Sequence, residues 1–317
     1  MTATIEVIVK EIKKESPSVK SFKLAQINGS PLPRFSAGSH IVTYLEQDQK
    51  QIERHYSLTT APNKTDIYQI AVRLNDSSKG GSAYWHHEIK EGDRLEISYP
   101  RNHFPLSFLA RHHMFFAAGI GITPFLAMAA DLKAKGKTFE LHYAAPSKEQ
   151  CAFYSYLKEH YPNEIQFYFS NEKRKMKPHL MENKPIGTHV YFCGSEAMMK
   201  EYAEAAKYYG YHENSIHFEL FSPPDLGPQH PFQVKLHKSN QLLQVREGES
   251  LLETLLKNNI QAPYSCRIGG CGSCQVDVLE GDVDHRDLFL SDQEKENSNV
   301  MLTCVSRGKC GTLVLDL

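Results

Sequence analysis

The sequence predicts a multidomain protein in which an antiparallel β-barrel, an α/β parallel-sheet domain and a C-terminal β-grasp domain follow one another. Three observations carry that prediction. Short runs of alternating apolar and polar residues fill the first third of the chain, the pattern of half-buried strands. From His113 onward strand-like and helix-like segments alternate, as they do in a parallel sheet covered by helices. Near the C-terminus Cys266, Cys271, Cys274 and Cys304 stand at gaps of four, two and 29 residues, the plant-type ligand spacing of a [2Fe-2S] cluster.

Composition sets the outer bounds. At 317 residues and 41% hydrophobic content the chain exceeds one ordinary domain, at roughly 150 residues each. No run of about 18 apolar residues is present, and the start MTATIEVIVKEIKKES alternates and carries charge, so it reads as a strand and not as a cleavable signal. A soluble, cytoplasmic protein with no membrane contact is expected. Seven cysteines, four of them claimed by the cluster, leave Cys151, Cys193 and Cys310 as thiols of a reducing compartment. A formal charge of -1 offers nothing to nucleic acid. Residues 228–317 hold nine Lys/Arg against twelve Asp/Glu, or -3, which leaves +2 for the remainder.

In chain order, residues 5–9, 40–46, 52–59 and 67–74 read as strands between Gly, Pro and Asn punctuation. A helix over Gly81–Lys90 and a strand over Leu95–Ser98 complete the barrel. The strand ending Arg54-His55-Tyr56-Ser57 places a cation, an aromatic face and hydroxyls together, a set that suits a planar ring carrying a phosphate. Gly80-Gly81-Ser82 offers bare N–H groups at a helix start to an anion, although a plain turn explains these glycines equally well.

In the α/β region Met114–Ala118 is a buried strand running into Gly119-Ile120-Gly121-Ile122-Thr123-Pro124. Thr123 is expected to cap, and Pro124 to open, a helix to about Ala134. That junction of strand and helix accepts a pyrophosphate, or is a tight turn without a ligand. Further strands are expected at 139–144, 165–169 and 190–193, with helices over 148–160 and 195–209. Cys193-Gly194 ends a strand at the carboxyl edge, where open α/β sheets bind ligands; Cys193 is equally a small buried hydrophobe. Ser222–Gln229 is Pro-rich and aperiodic, a linker. Strands at 232–237 and 242–245, a Ser250-capped helix with Glu253 three residues on, and strands at 275–279 and 313–317 then frame the cluster loop. Gly269, Gly270 and Gly272 are expected to supply positive φ and close approach there. A zinc site would show paired C-x2-C knuckles in place of a glycine-filled gap of four, and the 16 histidines show no H-x3-H or H-E-x2-H arrangement.

Taken in this order, these motifs resemble the phthalate dioxygenase reductase type of flavin and iron–sulfur reductase, the group that includes vanillate demethylase and carnitine monooxygenase reductase components. The resemblance spans essentially the whole chain. It implies a flavin domain at residues 1–108, a nicotinamide domain at 109–222, a linker at 223–230 and a ferredoxin domain at 231–317. By likeness Arg54, with Gly80, Gly81 and Ser82, holds the phosphate of FMN, while Tyr56 packs against the ring, Ser57 approaches its N5 edge and His55 belongs to the same flavin-binding motif. Gly119, Gly121, Thr123, Pro124, Cys193 and Gly194 receive the nicotinamide nucleotide, and Phe221 belongs to an aromatic segment beside the flavin. Ser57, Thr123 and Cys193 flank the reacting atoms, and Cys266, Cys271, Cys274 and Cys304 hold the iron.

One departure from the family concerns Ala145-Pro146-Ser147-Lys148, where relatives often carry Arg; NADH is expected as donor, with NADPH use open. A flavin between a two-electron donor and a one-electron cluster divides the pair, so the implied activity is reduction of a terminal oxygenase with Rieske and mononuclear iron centres. The alternatives are a ferredoxin-like carrier without flavin chemistry of its own, and a general NADH-dependent ferric or flavin reductase.

Overall fold

The computed structural model describes residues 3–47, 50–75, 80–223, 227–297, 299–309 and 311–317. The chain divides into two compact units, Met1–Glu219 and Leu220–Leu317.

The first unit opens with β1 (Thr4–Ser16), β2 (Val19–Gln26), β3 (Ser39–Gln47), β4 (Lys50–Ser57) and β5 (Tyr68–Arg73). After these come α1 (Gly81–His87), β6 (Arg94–Ser98) and β7 (Arg101–Asn102). The strands form an antiparallel sheet in the order β4-β3-β6-β1-β2-β5, with β7 on β3. The sheet curls so that its ends meet: the Thr59 N–H, just past β4, donates to the Gln69 carbonyl of β5 at 2.8 Å. Apolar positions of alternating strands, among them Val7, Phe22, Leu24, Ile41, Ile70 and Ile97, close over Trp85 of α1. The expected strands fall on observed ones, but β2 was not foreseen and β1 runs seven residues beyond its expected end at Val9. The cause is cross-strand pairing of polar side chains, which a hydrophobic pattern misses. Lys23 Nζ meets Glu11 at 2.8 Å, and the Ser21 hydroxyl donates to Glu15 at 2.8 Å.

The same unit continues with β8 (His112–Ala118), α2 (Thr123–Ala134), β9 (Phe139–Ala145), α3 (Tyr154–His160), β10 (Ile165–Phe169), β11 (Thr188–Cys193), α4 (Glu196–Tyr208) and β12 (Ile216–Glu219). Its sheet is wholly parallel, ordered β10-β9-β8-β11-β12. Strands buried on both faces explain the unbroken apolar runs, as in β11, where all six residues are buried. The helix expected from Lys148 begins only at Tyr154. Cys151, Ala152 and Phe153 turn into the core instead, with Phe153 at φ 61°; burying three consecutive residues is incompatible with one helical face.

The second unit contains β13 (Phe232–Leu236), β14 (Leu242–Val245), α5 (Leu251–Lys257), β15 (Gln275–Glu280), β16 (Val283–Asp284), α6 (Asp292–Asn297), β17 (Val300–Leu302), β18 (Arg307–Gly308) and β19 (Thr312–Leu315). Its main sheet runs β14-β13-β19-β15-β17, with β13 and β19 parallel and α5 packed alongside. Ser250 and Glu253 form the expected capping box of α5, whereas α6, β17 and the β16-β18 ribbon were not anticipated. Arg307, buried, ties the strand ends by donating to the carbonyls of His230, Arg246 and Glu249. Positions 224–226 of the expected linker lie outside the described residues.

A column of rings crosses one face of the parallel sheet. His113 stacks on Tyr191 at 5.8 Å, Tyr191 on His217 at 4.4 Å, and His217 on His189 at 5.2 Å. Burial pushes both His113 and His217 down to about 4, because desolvation disfavours the imidazolium. Groups that stay neutral when folded but protonate near 6.5 when unfolded stabilise the fold fully above that value and lose the contribution as pH falls from about 6.5 to 4. Urea unfolding between pH 7 and pH 4.5 should therefore show stability falling with acidity. The variant His217→Phe should remove from that slope about tenfold in the unfolding equilibrium per pH unit; equal slopes would assign it to other groups.

Candidate active site and cluster loop

On the barrel, Arg54 and Tyr56 of β4 sit opposite buried Thr43 and Ile41 of β3. Arg54 reaches the start of α1, where Gly80 turns the chain at φ 98°. A side-chain carbon on Gly81 would come within 2.5 Å of Arg54 Nε and 2.8 Å of its Cγ, so the guanidinium occupies the space that glycine leaves. The Ser82 hydroxyl accepts from the Asn75 N–H at 3.2 Å. Arg54, Gly80, Gly81 and Ser82 thus form one cradle with a fixed cation and N–H groups at the helix start, a donor set that fits a phosphate. Tyr56 meets Trp85 edge to face at 5.9 Å, and burial raises its phenol well above the ordinary range. His55 points to the other face, where its ring lies 5.2 Å from that of His40. Burial, with help from the charges of His55, His103 and Arg101, pushes His40 down to about 3.

At the carboxyl edge of the parallel sheet two turns interlock. Gly119, at φ 56°, offers its carbonyl to the Tyr143 hydroxyl at 3.0 Å. A side chain on Gly121 would overlap the Cys193 carbonyl, and one on Gly194 would come within 2.9 Å of the Ala118 methyl and 3.0 Å of Met198 Sδ. Thr123 does not cap α2. Residues Gly119–Ile122 form a 3-10 turn that runs directly into the helix, leaving Ile122 at the capping position and Thr123 already helical at φ -59° and ψ -47°. The Thr123 hydroxyl donates to the Ile120 carbonyl at 3.0 Å, and Pro124 follows it in the first turn. Cys193 is buried, and desolvation, aided by Glu219, raises its thiol far above the usual value, so it is held neutral. Ser195 caps α4, accepting from the Met198 N–H at 3.3 Å.

The barrel and the parallel sheet meet at a residue that sequence reasoning passed over. Glu219 ends β12 in register with Cys193, and the Ser57 hydroxyl stands 3.5 Å from its carboxylate. Burial pushes the Glu219 carboxyl up to about 8, which keeps it protonated at neutral pH. Its signal was a lone acid closing the short strand Ile-His-Phe-Glu at the ligand-binding edge. Ser57, Cys193 and Glu219 therefore gather a hydroxyl, a neutral thiol and a protonated carboxyl. Beyond β9, the Ser147 hydroxyl donates to Glu149 at 2.7 Å, while Lys148 lies over the Tyr154 ring at 5.0 Å.

In the second unit Cys274 and Cys304 are buried, with Cys266 and Cys271 partly exposed, and all four are free thiols. The Cys274 and Cys304 sulfurs stand 3.2 Å apart. The hydrogen bond from Cys266 pulls the Cys271 thiol down to about 5, and that from Cys304 pulls Cys274 down to about 7, with the partner thiols raised. The sulfurs stand as two pairs, Cys266 with Cys271 and Cys274 with Cys304, a donor set that fits two irons. Gly269 (φ 76°) would meet Val305 at 2.7 Å if it bore a side chain, and Gly272 (φ 73°) would overlap the Phe289 ring. Gly270 departs from expectation, having neither a positive φ nor a close neighbour nearer than Leu220 at 3.4 Å. The left-handed position next to Cys266 is filled instead by Arg267, at φ 60°, whose guanidinium packs over Tyr264 at 4.4 Å. Phe221 is half exposed and belongs to this second unit.

Three family models match successive stretches of the chain: an oxidoreductase FAD-binding domain over residues 6–105, a dimethylamine monooxygenase subunit DmmA-like N-terminal domain over 100–216, and a 2Fe-2S iron-sulfur cluster binding domain over 234–309. The chain is 40% identical to the heme-dependent oxidative N-demethylase beta subunit of Ectopseudomonas mendocina, over the full length of both. It is 39% identical to the carnitine monooxygenase reductase subunit of Escherichia coli, over 98% of each chain. Among solved structures, phthalate dioxygenase reductase superposes with a TM-score of 0.77 at 33% identity, covering 99% of this chain and 98% of that one. An intact type IV self-sufficient cytochrome P450 monooxygenase superposes with a TM-score of 0.80 at 35% identity, covering 99% of this chain and 41% of that one.

The interlock at Gly121 is testable by stability. Gly121→Ala should cost more than 2 kcal/mol, since a methyl there meets backbone that cannot yield. Gly136→Ala, with φ 61° but open space around it, should cost only the left-handed strain of about 1 kcal/mol. Urea denaturation of the two variants compares them; equal losses would mean that the contact with Cys193 carries no weight.

Proposed function

Since the chain belongs to the phthalate dioxygenase reductase type of flavin and iron–sulfur reductases, we propose that it takes electrons from NADH and delivers them singly to the terminal component of a monooxygenase. Bound FMN would accept the electron pair and a bound [2Fe-2S] cluster would pass electrons on one at a time. The division of labour is a flavin domain at residues 1–108, a nicotinamide domain at 109–222 and a ferredoxin domain at 231–317, joined by 223–230. The observation that carries this reading is the meeting of Ser57, at the end of the barrel strand, with Cys193 and Glu219, at the carboxyl edge of the parallel sheet.

Arg54 with Gly80, Gly81 and Ser82 holds a single phosphate, and the compactness of that cradle favours FMN over a dinucleotide flavin. Tyr56 supplies an aromatic wall and Ser57 a hydroxyl at the reacting edge. The Gly119–Pro124 turn and Gly194 give backbone N–H groups to the pyrophosphate of the donor, with Thr123 holding that turn closed. Cys193, neutral and buried, shapes an apolar floor near the nicotinamide. The Glu149 carboxylate after β9 suits a ribose 2'-hydroxyl and opposes a 2'-phosphate, which favours NADH. Cys266 with Cys271, and Cys274 with Cys304, each offer two sulfurs to one iron.

Glu219, protonated at pH 7, stores a proton beside Ser57. NADH-dependent ferricyanide reduction should therefore fall as pH rises through about 8, and Glu219→Gln should flatten that profile while lowering the rate at pH 7 at least tenfold. A profile that keeps its inflection in Glu219→Gln would release the residue from this role. Cys271→Ser should leave ferricyanide reduction within about twofold of wild type and abolish delivery to a protein acceptor. Loss of both activities in a folded, flavin-loaded variant would defeat the proposed order of transfer. Released flavin chromatographed against FMN and FAD standards checks the flavin assignment.

The acceptor in this proposal is an oxygenase with Rieske and mononuclear iron centres, working in the cytoplasm, with no membrane or nucleic acid involved; among the described residues no helix is long and apolar enough to cross a membrane. A haem-containing acceptor is the second reading, favoured by the full-length relative that is a subunit of a heme-dependent demethylase.

A further inference from the structure

We propose that Leu288 and Phe289, together with the acidic face of α6, form the docking surface on which a basic one-electron acceptor protein receives electrons. The proposal rests on the reading of the second unit as the electron outlet.

Leu288 is 41% and Phe289 48% exposed, although Leu290 beside them is buried in the core. The exposure is not slack in a loose loop. Asp287, 1% exposed, accepts hydrogen bonds from the N–H groups of Phe289 at 3.1 Å and Leu290 at 2.8 Å. The Leu288 N–H donates to the Gly269 carbonyl at 3.1 Å, and Phe289 fills the space that Gly272 leaves open. A buried carboxyl is costly unless its bonds are met, and here the bonds to Phe289 and Leu290, with that of Leu288 to Gly269, fix a turn that leaves Leu288 and Phe289 half in water against the cluster loop. Half-exposed aromatics in fixed positions are the usual anchors of protein interfaces. A partner seated on Phe289 stands one ring away from the backbone between Cys271 and Cys274.

Charge selects the kind of partner. Helix α6 follows directly and exposes Asp292, Glu294 and Glu296. Its one cation, Lys295, is turned inward to donate to the Asp287 carbonyl at 2.8 Å. Residues 228–317 as a whole carry -3. An apolar centre with an acidic rim complements a basic face and speeds its approach at low salt.

The test uses the holoprotein with NADH and two acceptors, mitochondrial cytochrome c as the basic protein and ferricyanide as the small one. Phe289→Ala should raise the KM for cytochrome c at least tenfold, leaving ferricyanide reduction and the anaerobic bleaching of the cluster by NADH unchanged. The double variant Asp292→Lys with Glu296→Lys, which leaves the loop core intact, should raise the same KM and abolish its dependence on ionic strength. An unaltered KM in both variants would place docking elsewhere. Slower cluster reduction in Phe289→Ala would also overturn the proposal, because it would put the ring on the internal path. Wild-type protein that NADH does not reduce at all would instead sink the underlying reading of the unit as an outlet.

Discussion

The backbone of Gly121 lies so close to the Cys193 carbonyl that no side chain fits between them, and the chemistry of the first unit depends on that approach. It joins the turn after β8 to the turn after β11, so that two N–H-bearing loops and one helix start share a single edge. Because β11 pairs with both β8 and β12, the same contact sets the height at which Cys193 and Glu219 stand. Glu219 can then reach Ser57 of the barrel only where it does. A rearrangement at one glycine would therefore shift the Cys193 thiol and the Glu219 carboxyl together relative to Ser57.

Burial is the means by which this unit controls charge. The groups gathered at the edge are polar yet neutral: the Cys193 thiol is raised far up, Glu219 is raised to about 8, and the Tyr56 phenol is raised as well. Fixed charge stands beside the two turns, Arg54 against Gly81 and the Arg73 guanidinium near Gly119. Such neutrality leaves the meeting point of Ser57, Cys193 and Glu219 without a buried anion at neutral pH. Elsewhere the reverse holds: Glu140, caged by His112, His142 and Lys184, is held well below the usual carboxylate range, a structural ion cluster far along the sheet face.

In the second unit the constraint is backbone conformation. Two left-handed glycines, Gly269 and Gly272, and the left-handed Arg267 bend the loop so that the cysteines fall into two sulfur pairs. Strain of this sort is stored where neighbours over-determine it, here by Val305 and Asp287 against Gly269. Asp287 also fixes the turn that carries Leu288 and Phe289 to the surface, by accepting from the Phe289 and Leu290 N–H groups.

The sequence by itself determined the order of architectures, the strand-to-helix turns at Gly80–Ser82 and Gly119–Pro124 and the capping box of α5, because each depends on local spacing or on a residue type with one narrow physical use. Tertiary structure alone decided the rest. Pairing across strands, and not hydrophobic alternation, extended β1 and produced β2. Burial broke the expected helix at Phe153, and a 3-10 turn displaced Thr123 from its cap. Glu219 was invisible as a site residue because its partners Ser57 and Cys193 lie 162 and 26 positions away, and only folding brings such distant groups within reach and removes the water that would otherwise hold the carboxyl ionised.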